Sequence, residues 1–153
     1  MAITVQLLDA PFNPGEFVGP FTNAHPGFGG VCTFVGEVRG ESDVEALELL
    51  HYERMTQPGM QRLADEAMIR FELMGLLVVH RTGLMRPGEP IVLVSACAKH
   101  RRGAIDAVDF CMDHLKSDAW FWKREKRADG WHWIEPRAQD HTDLSRWKES
   151  LQV

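Results

Sequence analysis

The sequence predicts an α+β fold in a single domain, and three observations lead to this class. The chain of 153 residues suffices for one domain that buries about two-thirds of its unfolded surface. It contains no internal repeat, low-complexity tract or linker. Segments with strand and helix periodicity follow one another without a regular βαβ alternation, and hairpin signals join some of the strands. We therefore expect one domain over residues 1–153, with a mixed antiparallel sheet, two main helices and a C-terminal β-hairpin.

The N-terminal segment predicts a strand followed by a short helix. ITVQLLD at 3–9 alternates well enough to form the first strand. Asn13–Glu16 then combines an N-cap, a proline at the first helical position and an acidic residue at the third, which is typical of a helix start. Gly19 and Pro20 oppose helix growth, so we expect this helix to end within about two turns.

The middle of the chain predicts two strands around a polar loop, followed by the clearest helix. Residues 29–39 and 45–53 are rich in strand formers, and the polar residues 40–44 between them predict a mobile loop. Residues 56–74 predict a helix because their apolar side chains share one face. A stripe of this kind is typical of a core rather than of a cofactor site. Its members are Met60, Leu63, Ala64, Ala67, Met68 and Phe71.

A second pair of strands and a second helix come next. Residues 76–83 and 91–98 read as strands on either side of the Pro-Gly turn at 86–89. Residues 102–116 predict a helix with one apolar face.

The C-terminal part predicts a hairpin and a tail. WFWKREKR at 120–127 and WHWIE at 131–135 flank Asp129-Gly130, a dipeptide that favours tight hairpin turns. Residues 138–153 are expected to form a C-terminal tail.

Composition limits the classes of function. The chain is 44% hydrophobic and 25% charged, as is usual for a soluble globular protein, and it has no apolar run near the ~18–20 residues that span a membrane. Its N-terminus lacks the basic and apolar regions of a signal peptide. Cys32, Cys97 and Cys111 are odd in number and widely spaced, which fits inert thiols in a reducing cytosol. The histidines show no ligand spacing, so we expect no metal site. Together, these features predict a cytoplasmic protein without a membrane segment.

Charge is distributed unevenly along the chain. The net charge of −5 argues against a nucleic-acid-binding protein. Residues 1–98 carry 6 basic and 12 acidic groups, whereas residues 99–127 carry 8 basic and 5 acidic groups. Lys99–Arg102 begins the second predicted helix, where cations oppose the helix dipole. Such a cluster makes sense if an external phosphate or carboxylate binds there, and the alternative is a solvated turn.

KSDAWFWKRE, at residues 116–125, sets two lysines seven positions apart around three aromatic residues. Lys116 closes the predicted helix, where a cation also suits the dipole. Aromatic walls that desolvate an ammonium group lower its pKa, so a lined pocket would make Lys116 and Lys123 usable as base or nucleophile. A solvated charged strand and a base-stacking platform for single-stranded nucleic acid are the alternatives. Arg39, beside the polar loop, is a candidate oxyanion clamp.

These segments, taken in order, resemble the MoaE family, the large catalytic subunits of molybdopterin synthase. The resemblance rests on FVGEVR (34–39), LELLHYERM (47–55), the long series from His80 to Lys116, and FWKRE (121–125). That series reads HRTGLMRPGEPIVLVSACAKHRRGAIDAVDFCMDHLK. The motifs cover nearly the whole chain and keep the order in which the family has them.

The resemblance implies an α/β hammerhead-type fold and a sulfurtransferase without a cofactor of its own. It also implies a homodimer of this chain within a heterotetramer, with a ubiquitin-like small subunit docked at each end. The C-terminal Gly-Gly of that partner would carry a thiocarboxylate, from which sulfur passes to cyclic pyranopterin monophosphate. Two such transfers would form the dithiolene of molybdopterin, and no cysteine of the large subunit would carry the sulfur.

The resemblance also implies roles for individual residues. Lys116 and Lys123 match the two active-site lysines of the family, and the remaining matches concern substrate binding. Arg39, His100 and Arg101 match positions that hold the pterin and its phosphate, Arg124 and Glu125 belong to the same substrate-contacting stretch, and Arg137 resembles an arginine contributed across the dimer.

Two residues depart from the family pattern, and two other functions are alternatives to the enzyme. Trp120 stands where a proline is common, and Glu37 occupies a position that is basic in some members. A non-catalytic subunit that binds a phosphorylated ligand or the tail of a ubiquitin-like partner is the main alternative to the enzyme. Binding of single-stranded RNA would require a steep salt dependence and conflicts with the acidic net charge.

Overall fold

A computed structural model of the chain describes residues 2–41, 43–117 and 120–149. Ser42 of the predicted loop and residues 150–153 of the predicted tail lie outside the described residues, as do residues 118–119. Within the described part the elements, in chain order, are β1 (Ile3–Leu8), α1 (Gly15–Asn23), β2 (Gly30–Glu37), β3 (Ala46–His51), α2 (Glu53–Arg70), β4 (Leu73–Arg81), β5 (Gly83–Met85), β6 (Pro90–Ala98), α3 (Arg101–Ser117), β7 (Phe121–Arg127), β8 (Gly130–Ile134) and α4 (Ala138–Glu149).

The first sheet has the strand order β1-β4-β6-β2 and forms the centre of the molecule. β1 runs parallel to β4, and the other pairs are antiparallel. The two central strands are almost wholly buried, as expected for continuous apolar runs with elements packed on both faces. α2 and α3 cover one face, on which Leu76, Val78 and Val94 lie. On the other face, Val79 and Leu93 pack against the apolar side chains of α1.

The second sheet has the order β5-β3-β7-β8, and all its pairs are antiparallel. Because strand side chains alternate between faces, β7 presents Phe121 and Lys123 on one face and Trp122 and Arg124 on the other. The first face joins a small core around Met85. The second face is open, and Trp122 is 48% exposed there. Alternation in β7 therefore decides which of its charged residues face the interior.

The α+β class predicted from the sequence is confirmed, with two differences in arrangement. Strands form two four-stranded sheets instead of one mixed sheet. α2 ends at Arg70 rather than at position 74, because Glu72 adopts a left-handed backbone with a φ of 51° and the chain enters β4 at Leu73. The predicted hairpin over 120–135 is present as β7 and β8.

Residues 138–149, which the sequence assigns to a C-terminal tail, form α4. Trp147 anchors this helix, with its ring edge-on to Phe71 at 5.8 Å and to Phe110 at 5.5 Å. Its indole N–H donates to Asp113 at 2.6 Å, and Arg146 pairs with the same carboxylate at 2.7 Å. α4 is held by one aromatic side chain and by ion pairs. Its sequence therefore does not need the apolar stripe from which helices are predicted.

Trp120, the departure from the family pattern, anchors the turn between the two lysines onto α2. Its ring packs against the main core. Its carbonyl accepts a hydrogen bond from the Thr56 hydroxyl at 3.2 Å. The indole lies directly over Gly59, where an added Cβ would stand 2.7 Å from Cζ2 of the ring. Gly59 thus leaves the space that the tryptophan fills.

We expect Gly59→Ala to lower the free energy of unfolding by about 1–3 kcal/mol, because the methyl group overlaps the indole and forces Trp120 to move. Urea denaturation measures this loss. Gly19→Ala is the matched control, since no atom lies within 4 Å of its added Cβ. Combining Gly59→Ala with Trp120→Leu should recover part of the loss, and strictly additive effects would contradict the contact.

Candidate functional site

Two adjoining cavities lie between the second sheet, the end of α3 and the start of α4. They share Lys116 and Lys123 together with Leu47, Ile91 and Ile134. We call the two cavities together the lysine cleft. The inner cavity is mostly apolar and also contains His80, Phe121 and Pro136. The outer cavity is strongly charged, and its ionisable residues besides the lysines are Glu37, Arg39, Glu41, Glu125, Glu135, Arg137 and Asp140.

Two different elements bring the lysines together. Lys116 is in the last turn of α3, and Lys123 is in β7, where it pairs with Leu49 on one side and Ile134 on the other. α3 ends at Ser117 and β7 begins at Phe121, so the two lysines line one cleft from two different elements. Lys123 is half-buried, and Lys116, although more exposed along its side chain, lines both cavities as Lys123 does. The structure thus favours the lined pocket over a fully solvated charged strand.

Desolvation by the cleft walls lowers the pKa of both lysines. For Lys116, repulsion from Lys123 adds to this effect, while Asp140 opposes it. For Lys123, Asp140 and Glu125 oppose the lowering, and Arg39 and Arg137 add to it. A lower pKa raises the fraction of neutral amine at neutral pH, which is what a lysine needs to accept a proton or attack a carbonyl group.

His80 forms part of the inner cavity and is 6% exposed. Its ring stacks on Phe121 with centroids 4.1 Å apart, and its Nδ1 lies 3.0 Å from the Arg81 carbonyl. A carbonyl oxygen can only accept a hydrogen bond, so Nδ1 of His80 must carry the proton, and this contact fixes the tautomer of the neutral ring. Burial lowers the pKa of His80 to about 4. The hydrogen bond to the Arg81 carbonyl opposes this lowering, and Lys116 and Lys123 add to it. The imidazole is therefore neutral at physiological pH.

Stability should fall between pH 6.5 and pH 4 because of His80. The unfolded chain takes up a proton near pH 6.5, while the folded chain resists protonation down to about pH 4. The free energy of unfolding is expected to drop by about 2–3 kcal/mol across this window. Urea unfolding at pH 7.5 and 4.5 should show a smaller difference for His80→Gln than for the unchanged chain. The exposed His141→Gln should keep the full difference, and equal differences in all three proteins would contradict the assignment.

The outer cavity combines arginines with carboxylates. Arg39 is 72% exposed and lies 3.6 Å from Glu41, so its guanidinium stays available to a ligand. Arg137 pairs with Asp140 at 3.0 Å. Hydrogen bonds from Arg137 hold the pKa of Asp140 low, although burial acts in the opposite direction. Arginines beside two amines suit an anionic ligand that brings a phosphate group.

Five of the eight residues singled out from the sequence meet in this cleft, and three do not. His100 directly precedes α3 and Arg101 begins it, whereas Lys116 is near its other end, about 22 Å away by helix rise. Arg124 lies on the open face of the second sheet, where it pairs with Glu48 at 2.8 Å and stacks over Trp131 at 4.3 Å. The five that meet are Arg39, Lys116, Lys123, Glu125 and Arg137.

Sequence reasoning missed His80 and Asp140. His80 stands in an apolar strand and shows no ligand spacing, so the sequence carries no signal for it. Asp140 follows Arg137 by three positions, the spacing of a helix-capping carboxylate, which was its only signal.

The cysteine thiols take no part in the cleft. Cys97 and Cys111 are buried and Cys32 is half-buried, and none of them belongs to either cavity. Burial raises the pKa of Cys111 to about 12, which makes its thiolate rare. In the described ranges, no three His, Cys, Asp or Glu side chains are placed to hold a metal ion. None of the helices there is long and apolar enough to cross a membrane.

Comparison with known proteins agrees with the motifs and the fold. The model of the MoaE protein family matches residues 7–118. The molybdopterin synthase catalytic subunit of Caulobacter vibrioides is 44% identical, over 95% of this chain and 97% of its own. The solved MoaE protein of Burkholderia ambifaria has a TM-score of 0.81 at 36% identity, covering 97% of this chain and 99% of that one. A complex of subunits 1 and 2 of molybdopterin-converting factor from Helicobacter pylori shares the fold, with a TM-score of 0.75 at 19% identity over 87% of this chain and 91% of that one. The chain belongs to the MoaE protein family.

Proposed function

We propose that this chain is the catalytic subunit of a molybdopterin synthase and acts as a sulfurtransferase. It moves sulfur from the C-terminal thiocarboxylate of a ubiquitin-like small subunit to cyclic pyranopterin monophosphate, which builds the dithiolene of molybdopterin. The observation that carries this proposal is the pair Lys116 and Lys123 in one cleft, with Arg39 and Arg137 at its outer part. A binding subunit has little need for two partly desolvated amines beside each other.

The two cavities suit the two reactants. The inner cavity is lined mainly by apolar side chains and ends on the neutral His80, which fits a slender glycine tail. Lys116 and Lys123 stand where the two cavities join, so the thiocarboxylate of such a tail would lie beside both amines. The arginines of the outer cavity would neutralise the phosphate of the pterin.

The lysines supply acid–base and electrostatic catalysis in this scheme. The thiocarboxylate sulfur attacks a carbon of the pyranopterin and forms a C–S bond while a C–O bond at that carbon breaks. The displaced oxygen takes up a proton and leaves as water, or it stays on the phosphate where the cyclic phosphate opens, and the partner's tail is then joined to the substrate as a thioester. Water then cleaves the acyl–sulfur bond, releasing the tail as a carboxylate and leaving sulfur on the pterin. A neutral amine would accept the proton of the water, and an ammonium group would stabilise the developing oxyanion.

The positions of His100 and Arg101 support the proposed assembly, a homodimer within a heterotetramer. Both match substrate-binding positions of the family, yet they lie about a helix length from the cleft of their own chain. In a homodimer they would be free to complete the cleft of the second copy. Arg137, which the resemblance places across the dimer, lines the cleft of its own chain.

Reconstitution tests the proposed function. The chain is mixed with a thiocarboxylated small subunit and cyclic pyranopterin monophosphate, and dithiolene product is measured. Formation of product is the expected result. Absence of product, under conditions in which an established synthase works, would favour the alternative of a non-catalytic subunit for a phosphorylated ligand or a partner tail.

A further inference from the structure

We propose that Asp140 is a positioning residue of the lysine cleft: its carboxylate orients the Arg137 guanidinium and serves as the shared counter-charge of Lys116 and Lys123. This inference deepens the proposed function and rests on it for its biological meaning. Asp140 is joined to Arg137 by several contacts. Both carboxylate oxygens of Asp140 bind Arg137, at 3.0 Å from Nη2, 3.4 Å from Nε and 3.0 Å from the backbone N–H.

Asp140 is also more buried than its partner. The side chain of Asp140 is only 11% exposed, while that of its partner Arg137 is 64% exposed. A carboxylate that served solely to pair with an exposed arginine would gain little from burial, since ion pairs at the surface are weak. Asp140 instead lines the outer cavity together with Lys116 and Lys123. Its charge therefore acts toward the interior of the cleft.

Hydrogen bonds also hold the helix that carries Asp140. Near one end of α4, the Ser117 hydroxyl donates to the Asp140 carbonyl at 3.2 Å. Near the other end, the Trp147 indole is fixed to Asp113 of α3 at 2.6 Å. Because Ser117 directly follows Lys116, these bonds hold the backbone of Asp140 close to the last turn of α3, which carries Lys116.

Asp140 also affects the balance of charge in the cleft. The carboxylate of Asp140 raises the pKa of both Lys116 and Lys123. Glu125 raises the pKa of Lys123. Removing the Asp140 carboxylate leaves Lys123 with Glu125 as an opposing charge, and it leaves Lys116 without the carboxylate that counters the repulsion from Lys123, Arg39 and Arg137. The titratable and charged groups around the amines are His80 of β4, Glu37, Arg39 and Glu41 of β2 and the following loop, Glu125 of β7, Glu135 after β8, and Arg137 and Asp140 at the start of α4.

A purely structural role is the competing explanation, since Asp140 also caps the first turn of α4 through the Arg137 N–H. The test must therefore report on the lysines themselves. Reductive methylation with ¹³C labels the amines, NMR follows their titration, and Lys116→Arg and Lys123→Arg assign the two signals. This measurement needs neither partner nor substrate, so it remains decisive even if the proposed sulfur transfer fails.

In Asp140→Asn, both lysines are expected to titrate at a pH lower by about half a unit or more, because the opposite charge is lost. Asp140→Glu should restore values near those of the unchanged chain. Asp143→Asn removes a carboxylate from the same helix outside the cavities and should shift neither lysine. If Asp140→Asn does not fold, Asp140→Ser, which keeps an acceptor for the capped N–H, replaces it.

Sulfur transfer then gives the second readout. If the lysines govern the rate, the acid limb of the pH–rate profile in Asp140→Asn moves to lower pH together with the titration. Titrations of Lys116 and Lys123 in Asp140→Asn that match those in Asp143→Asn would overturn the inference, whatever the effect on α4. If the titrations shift in Asp140→Asn but the unchanged chain forms no dithiolene in the reconstitution, the proposed function is refuted and the role of Asp140 stands.

Discussion

Lys116→Ala is expected to reduce the rate of sulfur insertion by about two to four orders of magnitude while the protein stays folded. The side chain lines both cavities, so its loss removes an amine from the point where the two reactants would meet. The alanine variant should unfold at nearly the same urea concentration as the unchanged chain. Lys116 is exposed in the last turn of α3, and the apolar face of that helix provides most of its packing. Dithiolene formation and urea denaturation measure the two effects separately.

Lys126→Ala is the matched control for this experiment. Lys126 belongs to β7, as Lys123 does, but lies exposed and outside both cavities. Its removal deletes the same charge without opening the cleft, so turnover should change less than about two-fold. Turnover that survives in Lys116→Ala at the level of this control would rule out a catalytic role for Lys116.

Phe110→Ala is expected to lower the free energy of unfolding by about 3–5 kcal/mol, which is a large share of the stability of a small domain. Its ring is fully buried and meets Phe71 at 5.3 Å and Trp147 at 5.5 Å. The Arg70 guanidinium lies 5.0 Å from its centroid. Removing the ring opens a cavity where α2, α3 and α4 meet, so α4 should loosen with it.

Ile105→Ala, on the same helix, is the comparison for this effect. Ile105 is 41% exposed, so its truncation removes half as many carbon atoms as that of Phe110 and leaves no enclosed void. Its cost should be about 1 kcal/mol or less. Equal losses for the two variants would mean that Phe110 does not anchor the helical layer.

The fold and half of the site are predictable from local patterns. Alternation and helical stripes give most strands and the two long helices, because burial on one face imposes a period on the sequence. The same alternation separates Lys123 from Arg124 once residues 121–127 are taken as a strand. Lys116 and Lys123 meet in one cleft because α3 ends and β7 begins between them, near Trp120. Their spacing of seven residues is consistent with this arrangement but does not predict it.

The remaining features depend on contacts between distant segments. α4 relies on one tryptophan and a few ion pairs, which leave no periodic signal. The division into two sheets follows from the pairing of β3 with β7, two strands about 75 residues apart along the chain, whose register local propensity does not reveal. The surroundings of His80 and Asp140 arise only when these elements meet.

The contact between Gly59 and Trp120 has a consequence for the history of the family. Each residue restricts the other: the tryptophan needs a neighbour without a side chain, and the glycine loses its purpose once the indole is gone. Relatives with a proline at the tryptophan position are therefore expected to carry larger residues at the glycine position. The two positions should have changed together in evolution, and a survey of sequences in which they vary independently would argue against this coupling.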